Sequence, residues 1–220
     1  MNRVAWLVMS VICLSGLEAS AGEIRGKVEL VSPVPPRAVG KKRVTMASKY
    51  GARAAEDASV PTGEDEVRYV VVEVLGENLK ATPRKAELIQ QNKQFVPHVM
   101  AIPRGSSVRF INKDDFEHNV YSVSAPGEFD TGKYQGNYKT QKFEQPNAVE
   151  IFCGLHPRMN AYIVVTPNDF FAMPDAKHEY RISGLPPGKY TLRVWHPRLK
   201  AKEIPVEVLP SGATTCDLKL

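Results

Sequence analysis

Apolar and polar residues alternate along most of this chain with the two-residue period of half-buried strands. In Tyr190-Thr191-Leu192-Arg193-Val194 every second side chain is apolar, and similar runs recur between Gly, Pro and Asn. The pattern predicts strands over residues 23–30, 67–75, 107–112, 119–122, 148–152, 161–165, 180–183, 190–195, 204–209 and 215–220. The 17 prolines and 15 glycines fall mostly between those runs, as the connections of a β-sandwich or barrel require. One segment, 83–91, has good helix formers and is expected to be a short helix. Residues 31–66 open with Pro33, Pro35 and Pro36 and continue as a polar stretch with little periodicity, so a long flexible loop is expected there. Residues 124–146 are also polar, with Phe129, Tyr134, Tyr138 and Phe143 to pin them down. Leu185-Pro186-Pro187-Gly188-Lys189 predicts a tight hairpin between two strands.

The first residues belong to a different category. Met1-Asn2-Arg3 is a basic lead, residues 4–17 are an apolar run, and Ala19-Ser20-Ala21 has the small-x-small form of a cleavage site. Together they predict a secretory signal peptide over residues 1–21, too short and wrongly flanked for a membrane anchor. A lipoprotein signal at Cys13 would require a smaller residue than Ile12 before it. No later stretch approaches the ~18 apolar residues of a spanning helix, so the rest of the chain is expected to be soluble and periplasmic or secreted.

Charge adds little. The formal net charge is +5 in 220 residues. Lys41-Lys42-Arg43 is the one dense basic cluster, and nothing else supports nucleic-acid binding. Cysteines matter more. Beyond the signal segment the chain keeps Cys153 and Cys216, and in an oxidising compartment two cysteines are by default a disulfide. Any metal reading competes with that pairing.

Cys153-Gly154-Leu155-His156-Pro157-Arg158-Met159 places a thiolate, an imidazole and a thioether on one loop between two predicted strands. A second imidazole from a neighbouring strand end would complete a His2Cys plane with a weak axial thioether, the donor set of a blue-copper electron-transfer centre. His118 supplies it, because residues 112–117 read as a turn between strands. Zinc tolerates Cys and two His, but thioether is a poor fourth ligand for it. Asp114 and Asp115 are expected to be solvated turn residues, not an acid/base pair. His98 is expected to face solvent or pack in a strand, His178 to be solvated in a turn, and Trp195-His196-Pro197 to be a packing feature. Cys216 is expected as a buried strand thiol. No nucleophile–base order, phosphate-binding glycine loop or zinc-protease motif is present, so no enzyme is expected.

These residues resemble the cupredoxin superfamily. The ligand loop with Pro after its histidine is similar to that of amicyanin and of plastocyanin-like, methylamine-utilisation copper proteins. Phe95-Val96-Pro97, Gly105, residues 108–112, His118-Asn119-Val120 and the ligand loop follow in cupredoxin order over roughly residues 88–166. The resemblance implies a Greek-key β-sandwich with one copper ion held by His118, Cys153, His156 and Met159. It implies that Asn119 ties the two ligand loops together. It also implies that Leu155, Pro157 and Met159 form an apolar collar around His156, through which electrons pass to a dehydrogenase or a c-type cytochrome. Gly154-Leu155, Arg158 and the polar stretch 124–146 depart from better-known members.

Residues 175–195 resemble the second half of a carboxypeptidase-regulatory-like (transthyretin-like) β-sandwich. About 50 residues are too few to bury a core alone. Residues 24–30 and 69–75 suit the missing first strands, so a discontinuous domain of residues 22–80 and 167–220 is expected around the cupredoxin segment. The fold class is thus all-β, two sandwiches. Two other functions stay open: copper storage, delivery or sensing without electron transfer, and a metal-free interaction module with a Cys153–Cys216 disulfide.

Overall fold

The structure is a computed structural model that describes residues 21–31, 34, 65–156 and 158–220. Nearly all of the expected signal peptide, most of the expected 31–66 loop with its Lys41-Lys42-Arg43 cluster, and Pro157 lie outside the described residues. Seventeen strands and no α-helix occur among those described. In chain order they are β1 (Gly22–Glu29), β2 (Val71–Leu75), β3 (Lys85–Gln91), β4 (Gln94–Val96), β5 (Val99–Pro103), β6 (Ser106–Asn112), β7 (Tyr121–Ser122), β8 (Phe129–Asp130) and β9 (Tyr138–Phe143). They continue as β10 (Asn147–Phe152), β11 (Asn160–Thr166), β12 (Phe171–Ala172), β13 (Glu179–Leu185), β14 (Gly188–His196), β15 (Leu199–Val208), β16 (Ala213–Thr215) and β17 (Leu218–Lys219).

Four sheets pack in two pairs. The sheet β4-β3-β6-β9 faces the sheet β5-β11-β10-β7-β8. Their inward residues, among them Leu88, Phe95, Phe110 and Phe143 on one side and Val149, Ile151, Ile163 and Val165 on the other, form one core. The sheet β12-β2-β14-β15 faces a sheet in which β13, β16 and β17 all pair with β1. Ile24, Val28, Ile182 and Leu218 there meet Val72, Val74, Leu192 and Val194 in a second core. β1 therefore joins the start of the chain to its end. Gly26 permits this: a Cβ at that position would lie 1.9 Å from the Cys216 carbonyl oxygen.

The two sandwiches meet through a third cluster of Tyr69, Val71, Val99, Tyr162 and Val164, with Trp195 against Tyr162 at 5.5 Å between ring centroids. This joint explains why all seven residues of β11 are buried. One face lines the first core and the other meets the second sandwich, the condition under which alternation disappears.

Several expectations need correction. Segment 83–91 is no helix; its residues 85–91 form β3, hydrogen-bonded parallel to β6 and antiparallel to β4. Residues 66–69 form a single 3-10 turn ahead of β2. The 185–189 turn is no hairpin, because β13 and β14 belong to opposite sheets and the turn crosses between them. Cys216 sits in the gap between β16 and β17, half-buried. Of the four aromatics expected to pin 124–146, Phe129 packs on Phe110 and Phe143 and Tyr134 is buried, while Tyr138 is exposed under the Arg109 guanidinium at 4.0 Å.

Candidate metal centre

β10 runs out at Phe152 and β11 begins at Asn160, so residues 153–159 cap one end of the first sandwich. The loop is closed by its own backbone. The Cys153 N–H donates to the Met159 carbonyl at 3.1 Å, and the Met159 N–H donates to the His156 carbonyl at 2.9 Å. Cys153 and Met159 are buried in the same core cluster, while His156 is half-buried.

The second segment reaches this end by a turn that the sequence builds from short polar side chains. The Asn112 side chain accepts from the Asp114 N–H at 2.9 Å and donates to the Phe116 and Tyr134 carbonyls at 2.8 and 3.2 Å. Such Asx-type contacts let a strand end and re-aim within a few residues. His118 then pairs with Tyr134 in an isolated bridge, with N–H···O distances of 3.0 and 2.8 Å.

Three donor atoms converge. His118 Nδ1 and His156 Nδ1 each lie 3.5 Å from Cys153 Sγ, and the two nitrogens are 3.1 Å apart. The circle through them has a radius of about 2.0 Å. That equals a typical bond from a borderline metal to imidazole nitrogen, ~2.0–2.1 Å, and is a little short of ~2.3 Å for thiolate sulfur. His118, Cys153 and His156 form the one such cluster of His, Cys, Asp or Glu among the described residues.

The surrounding groups fix which atoms face inward. Asp114 accepts from His118 Nε2 at 2.8 Å. An ionised carboxylate only accepts, so the His118 proton sits on Nε2 and the Nδ1 lone pair is free. Asp114 also accepts from the Asn92 and Lys93 amides at 2.7 and 3.1 Å. Burial would raise its carboxyl, but the His118 bond and those two amides hold it below the usual carboxylate range. Buried Asn119 accepts from the Gly154 N–H at 2.7 Å and lies 3.6 Å from Cys153 Sγ, which ties the two segments directly. Phe116 packs against both imidazoles at 5.1 and 5.4 Å, with the Lys93 ammonium 5.3 Å above its ring.

Electrostatics agree with the geometry. Burial pushes the Cys153 thiol up, against the hydrogen bonds of the Asn119, Leu155 and His156 backbone. Burial lowers His156 as well, helped by His118 and Lys93 and opposed by Asp114. A cation at the centre reverses the first penalty and needs the neutral imidazole that the second provides.

Sequence reasoning missed Asp114, read there as solvated, and Phe116. A signal for both existed, since they stand four and two residues before His118 in one turn. The other histidines lie elsewhere. His98 packs between Tyr69 and Tyr162, His178 meets Asp65 at 2.7 Å, and His196 is buried in the second sandwich. Cys153 and Cys216 are both free, in different sandwiches, which overturns the disulfide reading.

A scan against protein families finds no match, and a search of curated proteins finds none. Among solved structures, a novel purple cupredoxin from Nitrosopumilus maritimus is 24% identical over 36% of this chain and 98% of its own, with a TM-score of 0.34. A copper-containing nitrite reductase from Thermus scotoductus is 23% identical over 64% of this chain, with a TM-score of 0.35; the match spans only 28% of the reductase. A reduced amicyanin variant is 19% identical over 43% of this chain and 97% of its own, with a TM-score of 0.35.

Proposed function

We propose that this is an exported type I copper protein that carries single electrons between redox partners and catalyses nothing itself. The observation that carries this reading is the triangle of two Nδ1 atoms and one Sγ, sized for one ion. His118, Cys153 and His156 would hold the ion through their two Nδ1 atoms and Sγ, with the thioether of Met159, buried in the same cluster, as a further weak donor. The donor chemistry fits copper: a soft thiolate and thioether suit Cu(I), while two imidazoles also accept Cu(II). Copper bound there would supply a one-electron Cu(II)/Cu(I) couple.

The protein's own part is preorganisation. Asp114 orients the His118 ring, Asn119 locks the Cys153 loop to the His118 segment, and Phe116 keeps water from both imidazoles. A site held this firmly changes little between oxidation states, which an electron carrier requires. Half-buried His156 is the point of electron exit, with a dehydrogenase or a c-type cytochrome as partner. Residues 1–21 direct the chain to the periplasm or outside the cell. Among the described residues, no helix is long and apolar enough to cross a membrane. Residues 22–80 and 167–220 form a discontinuous second domain, a reading supported by the pairing of β1 with β13, β16 and β17.

Addition of Cu(II) to the metal-free protein tests the reading. An intense visible thiolate-to-copper band and a reversible voltammetric wave are expected. A protein that stays colourless sinks the assignment. Colour without a reversible couple assigns the site to copper storage or delivery instead.

A further inference from the structure

The outer face of β4-β3-β6-β9 carries a feature that the metal centre does not use. Register places Val96 beside Ile89, Ile89 beside Ile111, and Ile111 beside Tyr138. The alternate residues Leu88, Phe95, Phe110 and Phe143 line the core, so these four share the opposite, outward face. They form one apolar row across four strands, about 15 Å long at the usual strand spacing. Val96 is 48% exposed and Tyr138 46%, while the two isoleucines between them are half-buried. Scattered apolar residues on a surface are ordinary; a continuous row in register marks a contact surface.

The rim of that row is basic. Arg109 meets Glu87 at 3.1 Å, and Lys142 meets Glu144 at 2.5 Å. Those pairs cancel. Among the described residues Lys85, Lys93 and Lys113 are exposed without a carboxylate partner, at the start of β3 and at the turns that follow β3 and β6. Exposed Asp115 is the nearest uncompensated acid in sequence.

We propose that this face docks an acidic redox protein, its apolar centre meeting the row and its carboxylates meeting the three lysines. The surplus of like charge disfavours a second copy of this chain there. The row lies next to the metal centre in sequence and in space. Ile111 precedes Asn112, whose side chain shapes the His118 turn, and Ile89 precedes Gln90, whose amide donates to the Asn119 carbonyl at 3.3 Å. The proposal rests on the electron-carrier reading for the class of partner, and on the face alone for the place of binding.

The test uses cytochrome c in two forms, native and basic, and succinylated and acidic, titrated into the full-length metal-free protein labelled with 15N. The succinylated form should shift the amides of Ile89, Val96, Ile111 and Tyr138 and weaken as salt is added, while the native form should bind at least tenfold more weakly. Val96→Ser with Tyr138→Ser should weaken the complex roughly fivefold or more, and Lys85→Glu with Lys113→Glu should do so independently of any loss of packing. Shifts confined to Leu155, His156 and Arg158 would overturn the proposal, as would equal binding of both cytochromes. So would a dimer of this chain that the row variants dissociate. Binding is read without copper, so a colourless protein sinks the copper reading and leaves this measurement standing, and the reverse holds too.

Discussion

The two sandwiches bury polar groups in opposite ways. In the second, buried Glu73 and His196 each lie beside a group of opposite charge. Glu73 accepts from Arg193 at 2.7 Å, although burial still raises its carboxyl, and His196 lies 3.7 Å from Glu66, which also pairs with Arg198. In the first, two imidazole nitrogens and a sulfur crowd within 3.5 Å of each other, while their outward atoms are fixed by Asp114 and Asn119. Complementary pairs close a structure on itself. Convergent lone pairs, held in place from behind, leave work for a cation.

The largest expected effect separates the two cysteines. Cys153→Ser should abolish the visible band of the copper-loaded protein, and Cys216→Ser should keep it. Loss of colour in both would mean that the second sandwich supports the site, and loss in neither would remove Cys153 from it. Next, Asp114→Asn should lower copper affinity by about 10–100-fold, the usual cost of losing the carboxylate behind a ligating imidazole. Competition with a chelator measures this, and unchanged affinity would make Asp114 a turn residue only.

The second sandwich should instead respond to acid. Burial, aided by Arg198 and opposed by Glu66, lowers His196 to about 4. The unfolded imidazole, near ~6.5, takes up a proton in a range where the folded one does not. Stability is therefore fully present above about pH 6.5 and declines as pH falls toward 4, by roughly 2–3 kcal/mol. Urea unfolding at several pH values measures the slope, and His196→Asn should flatten it. A slope that survives the substitution belongs to another group. The smallest effect is expected from Met159→Leu, which should raise the reduction potential with the colour kept, because a weak thioether donor would tune the site without building it.

Much of this was legible in the sequence because local pattern and tertiary environment agree. Residues 190–194 alternate and lie in β14, and the loop 153–159 sits between two strong strand patterns. β3 was not legible. Its Lys-Ala-Glu-Leu-Ile-Gln-Gln composition favours a helix, and its inward set includes Gln90, a polar residue at a core position. Gln90 is tolerated because it donates to the Asn119 carbonyl and accepts from the Tyr134 hydroxyl. Those partners lie 29 and 44 residues away, beyond the reach of any local pattern. Asp114 was misread for a related reason. Its carboxylate is satisfied by amides of a distant hairpin, so an apparently solvated residue is 8% exposed at its side chain. The joint between the sandwiches left a clearer trace, the unbroken apolar run of β11, whose meaning depends on knowing that a second sandwich covers it.

The pairing of β1 with strands near the far end of the chain has a temporal consequence. Every partner of β3 to β11 lies within residues 85–166, so the donor-bearing sandwich can close as soon as that stretch has emerged. β1 must wait, unpaired, until β13, β16 and β17 exist. Contacts this remote in sequence form slowly. In a chain that emerges from its N-terminus, the donor-bearing half would mature first, and arrival of the last strands would seal the molecule.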